Sequence, residues 1–279
     1  MAISEELKAL VDQMPDPDGK GMLTENIDKE KIEKAVAEIH RGGRENVLGL
    51  IEMLGEPGSE ENVKPHYALH CLANHVLIIK DENARRQFAE TLASQLGSDL
   101  STYNKAFLCQ ELQWAGRREV VGALGKLLTD EELCDPAAMA LTAIADGAAE
   151  ELRRAVPAAK GRCRLAIVDA LAALADAGSA GVFKDALKDA DREVRLAAGA
   201  GLARIGDAGS IDLLLKAADC QPGWERIRQT KHCMVLAEKL AAAGKASEAG
   251  KIYSHLRSTR TDASEKYIRD AAEKALAAT

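Results

Sequence analysis

The chain has 279 residues, a net charge of −7, and 47% hydrophobic against 29% charged residues. These proportions suit a folded chain with a sizeable core, and the net acidity disfavours a general nucleic-acid binder. No run approaches the 18 or so apolar residues of a membrane span. Aromatics make up only 3%. Alanine, leucine and valine therefore carry much of the apolar content, which favours close-packed helices over sheets.

The opening MAISEELKALVDQM carries acids early and has no basic-then-apolar leader, so the expected compartment is the cytoplasm. PDPDGKG at 15–21 is rich in turn formers and reads as a linker. After it, KEKIEKAVAEIH and ENVLGLIEML form an N-terminal helix pair. Residues 64–96 read as a longer pair and 104–128 as another. No convincing strand is found.

The best-specified segment comes next. RLAIVDALAALADAGSAGVFKDALKDA from Arg164 aligns with RLAAGAGLARIGDAGSIDLLLKAADC from Arg195 at an offset of 31 residues. Asp176 pairs with Asp207, Gly178 with Gly209 and Ser179 with Ser210. Apolar positions run Cys163, Ala166, Ile167, Ala170, Leu171, Leu174 in one unit. In the next they run Val194, Ala197, Ala198, Gly201, Leu202, Ile205. Both follow the spacing of one helical face. An earlier echo is Leu133, Ala137, Ala140, Leu141, Ile144, with Asp146 and Gly147 after it. Each long helix ends in a short Asp/Gly/Ala/Ser turn, and a shorter helix follows. Glycine allows a left-handed exit and serine or aspartate caps the next helix. So short a turn makes the two helices antiparallel neighbours. Stacked pairs bury a core that no single pair can.

Residues 231–258 form a further pair around Gly244, leaning toward a TPR-like half through Ala237, Leu240, Ala249 and Tyr253. YIRDAAEKALAA closes the chain as a cap. The expected fold is all-α: a right-handed α-α superhelix, a solenoid of antiparallel helix pairs. It is read as one domain over 1–279, with N-terminal helices and linker in 1–60, repeats in 61–219, and C-terminal pairs and cap in 220–279.

The stretch DREVRLAAGAGLARIGDAGSIDLLLKAA (191–218) resembles HEAT-like repeats of the phycobilisome-lyase type. The matching features are the Asp191 cap, Val194-Arg195, the alanine-rich middle, Ile205-Gly206-Asp207 and the leucine-rich second helix. Through GGRENV (42–47), YALHCLA (67–73) and GWERIRQTKHC (223–233), the whole chain resembles bacterial HEAT-repeat proteins. The resemblance implies an armadillo-like helical scaffold that binds other proteins.

Charge divides unevenly. Residues 1–150 hold 15 basic and 27 acidic side chains, and 151–279 hold 22 and 17. The result is a dipolar surface able to orient a partner, although ordinary drift in surface composition explains it as well. His66, His70, Cys71 and His75 share one helical segment. At 100° per residue they fall at about 0°, 40°, 140° and 180°, so a single ion cannot take all four. The pair His66 and His70 is left as a weak metal alternative, short of the four ligands zinc prefers. HEAT-fold iron hydroxylases use His-Glu pairs, and this chain has no His-Glu dipeptide. Phosphate loops and nucleophile motifs are absent, so no cofactor is expected. The six cysteines, at 71, 109, 134, 163, 220 and 233, read as reduced thiols.

Trp114 falls close to the register of Ile144 and Leu174 and is expected in the core. Trp224 opens a helix beside Arg226, Arg228 and Lys231, either as an interface anchor or as a staple to its neighbour. The leading expectation is a non-enzymatic scaffold binding a protein or peptide partner along a concave face lined by the second helices. Its candidate residues are Arg154, Lys184, Lys188, Lys216 and Lys251, together with Trp224 and Arg228. The alternative is an accessory enzyme or metal-binding protein, such as a chromophore-lyase-like subunit. No membrane contact is expected, and nucleic acid is disfavoured.

Overall fold

A computed structural model describes residues 3–16, 27–57, 59 and 62–278. Most of the 15–21 linker lies outside the described residues. The described residues contain helices and no strand. They form two compact units, 1–151 and 152–279. This boundary falls inside the 61–219 stretch that the periodicity groups together.

The first unit contains α1 (Glu5–Val11), α2 (Lys29–Arg41), α3 (Gly43–Glu52), α4 (Val63–Ile78), α5 (Glu82–Gln95), α6 (Thr102–Ala115), α7 (Val121–Gly125) and α8 (Cys134–Ile144). The boundary passes through α9 (Ala148–Ala155). First helices stack on first helices, α2 on α4, α4 on α6 and α6 on α8, while the second helices α3, α5 and α7 stack alongside. Side-chain caps explain several starts. Ser4, Asp28, Asp81 and Ser101 each accept a first-turn N–H of the helix they precede.

The second unit contains α10 (Gly161–Leu174), α11 (Ala180–Ala186), α12 (Arg192–Ile205), α13 (Ile211–Ala218), α14 (Trp224–Ala242), α15 (Ala246–Thr259) and α16 (Lys266–Ala278). Here α10 packs on α12 and α12 on α14, with α11, α13 and α15 as second helices. The predicted faces are the buried ones. Val194, Ala197, Ala198, Gly201 and Leu202 are buried in α12, as are Cys163, Ile167, Ala170 and Leu171 in α10. The expected cap is present, since Asp191 accepts the Glu193 N–H at 2.8 Å. Ala237, Leu240, Ala249 and Tyr253 are buried, and α16 packs on α15 through Ile268 and Ala272.

The helix exits refine the turn chemistry. The left-handed residue after α12 is Gly206, at φ 73°, but its counterpart after α10 is Ala175, at φ 50°. In both, the following aspartate N–H reaches back to a leucine carbonyl: Asp176 to Leu171 and Asp207 to Leu202, each at 3.4 Å. Gly178 and Gly209, the glycines shared by the aligned turns, lie one step on, in short 3-10 turns at Ala177–Ser179 and Ala208–Ser210. All six cysteines are free, and Cys109, Cys134, Cys163 and Cys233 are buried. No helix of the described residues is long and apolar enough to cross a membrane.

Candidate interaction surface

The Asp-Ala-Gly-Ser motif is a receiving site for a cation from the preceding repeat. Asp207 accepts the Gly209 N–H at 3.2 Å and the hydroxyl of buried Ser210, and Lys184 Nζ lies 2.8 Å from its second oxygen. One repeat earlier, Asp176 takes the Ser179 hydroxyl at 2.5 Å and pairs with Arg153. Burial pushes each carboxyl upward. The serine and the cation together more than offset that push and hold both below the ordinary carboxylate range. In the first unit, Arg118 pairs with Asp146 at 2.9 Å, fully in solvent reach.

A second ladder uses the first helices. Arg164 pairs with Asp189 at 2.6 Å, Arg195 with Glu225 at 2.7 Å and Arg226 with Glu265 at 2.7 Å. The three arginines are spaced 31 residues apart, and Arg195 and Arg226 each also reach a carbonyl six residues back, at Asp189 and Cys220. Arg226 therefore carries the repeat register past the stretch where Arg-Leu-Ala is recognisable. The signal was present as one more step of 31 from Arg195, hidden because the local sequence reads Arg-Ile-Arg.

These ladders redistribute the candidate binding residues. Lys184 is bound to Asp207, and Lys251 to Asp212 at 2.6 Å. Lys188 and Lys216 are exposed and have no ion pair among the described residues, and Arg154 is exposed on α9. The second-helix surface is mixed in charge, with Asp185 and Asp212 exposed among the lysines.

Trp224 and Arg228 are brought together. The Arg228 guanidinium carbon stands 5.5 Å from the centre of the Trp224 ring, a cation–π arrangement. Trp224 is 56% exposed and Ile227 49%. The other large exposed apolar side chains on first helices are Ile78 on α4, Tyr103 and Trp114 on α6 and Met139 on α8. The core expectation for Trp114 is overturned, since it is 56% exposed. The buried face of α6 runs Leu108, Glu111, Leu112, Ala115, and Trp114 sits one residue off that stripe.

His66 and His70 serve different neighbours. His66 donates from Nδ1 to the Asn62 carbonyl at 2.8 Å, and its ring packs against Phe107 at 4.3 Å and Tyr103 at 5.6 Å. Burial holds its pKa below that of a free histidine. His70 Nδ1 sits 3.1 Å from both oxygens of the fully buried Glu111, and that hydrogen bond raises its pKa. Among the described residues, no group of three or more His, Cys, Asp or Glu side chains is placed to hold a metal ion.

Residues 149–231 match the family model for HEAT repeats. This segment, under a third of the chain, is similar to HEAT repeats. An engineered protein of known structure shares the fold, at TM-score 0.51 and 21% identity over 97% of this chain and 77% of that one. Looser likenesses are a structure from a study of a phosphorylation switch in the cadherin–β-catenin interaction and human deoxyhypusine hydroxylase with glycerol. The former has TM-score 0.37 and 13% identity over 97% and 55% of the two chains. The latter has TM-score 0.35 and 13% identity over 99% and 97%. Among curated proteins, no sequence matches the chain.

Proposed function

We propose that the chain is a non-enzymatic repeat scaffold that binds a protein or peptide. The observation that carries this reading is the group Trp224, Ile227 and Arg228 on α14, two large apolar side chains held in solvent beside a stacked guanidinium. Rigid aromatic and arginine side chains of this kind dominate protein interfaces. The inter-repeat ion pairs give them a stiff support. A second-helix site at Lys188 and Lys216 remains the competing location, weakened by the ion pairs that occupy Lys184 and Lys251. The chromophore-lyase-like alternative rests on the resemblance of residues 191–218 alone.

Selection from a random peptide library tests the proposal. Peptides sharing a common motif should be enriched on the wild-type protein and depleted on Trp224→Ala. No motif above that of an unrelated control protein would contradict a peptide-binding role.

A further inference from the structure

Several basic side chains of the second unit are matched. Arg164, Arg195, Arg226, Arg260, Lys184 and Lys251 each hold a carboxylate. Three others, around α14, are not. Arg204 at the end of α12, and Arg228 and Lys231 on α14, form no ion pair among the described residues. Two of the three, Arg204 and Lys231, are exposed. The Nε of Arg228 is buried without a hydrogen-bond partner.

The end of α12 lies against the later part of α14, where Lys239 Nζ donates to the Arg204 carbonyl. Each of the three cations lies close enough to the buried His232 ring to disfavour its protonation. The carboxylates facing them are few. Glu225 is held by Arg195, and the exposed Asp169 feels Arg204 without pairing to it. Glu238 lies on α14 two turns beyond Lys231. On the same helix, Trp224, Ile227, Arg228 and Lys231 fall at steps of three and four, so they line one stripe. The stripe is therefore apolar at one end, cationic along its length and poor in counter-charge.

We infer that this stripe docks an acidic amphipathic segment of another protein, its apolar side chains on Trp224 and Ile227 and its carboxylates on Arg228 and Lys231. The inference rests on the scaffold reading and adds the partner's chemistry to it. Unpaired cations beside a stacked tryptophan offer charge-assisted hydrogen bonds to carboxylates and a flat apolar seat. The unit carrying the stripe holds 22 basic and 16 acidic residues, so its overall field has the matching sign.

The test uses the full chain and two labelled synthetic peptides. One is an amphipathic helix of Glu, Leu and Phe, and the other is the same peptide with every Glu replaced by Lys. Fluorescence anisotropy should show saturable binding of the acidic peptide only, weakened as salt is raised to about 0.5 M. Lys231→Glu, at an exposed position, should lower the affinity at least about tenfold, and Arg228→Gln by a comparable factor. Lys245→Glu, at an exposed turn in the same unit, should leave it unchanged. Equal binding of both peptides, or full affinity in Lys231→Glu and Arg228→Gln, would overturn the inference. So would a salt-sensitive dimer of the chain itself that dissociates in Lys231→Glu, since the occupant would then be a second copy. Library enrichment of non-acidic peptides on the same protein would sink this inference while leaving the scaffold reading intact.

Discussion

Lys184 Nζ stands 2.8 Å from Asp207 Oδ2, and the pair reproduces, 31 residues later, the contact that joins Arg153 to Asp176. A cation from one repeat thus closes the turn of the next. The same aspartate also caps its own 3-10 turn, so one side chain couples turn geometry to repeat stacking.

Asp207→Ala removes the cap, the Ser210 contact and the ion pair together, and should cost about 1–2 kcal/mol. Lys184→Met removes only a partly exposed ion pair and should cost under about 1 kcal/mol. Urea unfolding of the two variants measures both. An equal cost for each would mean that the turn does not depend on Asp207 as described.

Ala175 occupies a left-handed position that Gly206 fills one repeat later. Its Cβ is strained there, so Ala175→Gly should stabilise the protein by about 0.5–1 kcal/mol, in spite of the greater freedom glycine has when unfolded. The thermal midpoint reads the result. A lower midpoint would show that the backbone tolerates alanine without strain.

Gly201 is needed for close packing. A Cβ there would stand 2.6 Å from two ring atoms of the fully buried Phe183, while one at Gly181 would meet nothing within 4 Å. Overpacking typically costs about 1–3 kcal/mol, against a helix-propensity gain of up to about 1 kcal/mol. Gly201→Ala should therefore destabilise and Gly181→Ala should not, as judged by urea midpoints. Gly201→Ala without loss would show that the Phe183 ring can shift freely.

His232 sits buried between α12 and α14, with Nδ1 3.3 Å from Gln229 Oε1. Burial, reinforced by Arg228, Lys231 and Arg204, depresses its pKa to about 4 from the usual 6.5. The unfolded chain therefore binds this proton first. The contribution to stability is fully present above pH 6.5 and is lost as the pH falls toward 4. A shift of this size corresponds to about 3 kcal/mol at most. Asp176 and Asp207, held below the ordinary carboxylate range, add their losses at lower pH. Unfolding followed between pH 7 and pH 4.5 should show a decline that His232→Gln flattens. An unchanged slope in that variant would mean His232 is not the titrating group.

The central repeats were legible in the sequence because their apolar spacing and Asp-Ala-Gly-Ser turns are local patterns. The all-helical fold, the Asp191 cap and the buried faces of α10 and α12 followed from them. What the motif's aspartate holds was not legible. Arg153 and Lys184 reach Asp176 and Asp207 across a repeat, at a separation of 23 residues that no helical spacing predicts. The same blindness made Lys184 and Lys251 look like free groove cations. Trp114 lies outside the core because a one-residue difference in register moves a side chain by about 100° around a helix. Trp224 was readable as a residue beside arginines, but choosing between anchor and staple required its exposure and the position of Arg228.

The most direct test of the account compares contact at the first-helix and second-helix surfaces. A photo-crosslinking amino acid placed at Ile227 on α14, or at exposed Asp185 on α11, is irradiated with the peptide selected from the library. The account predicts a covalent adduct from position 227 and none from 185. An adduct from 185 alone would place the partner on the second helices and contradict it.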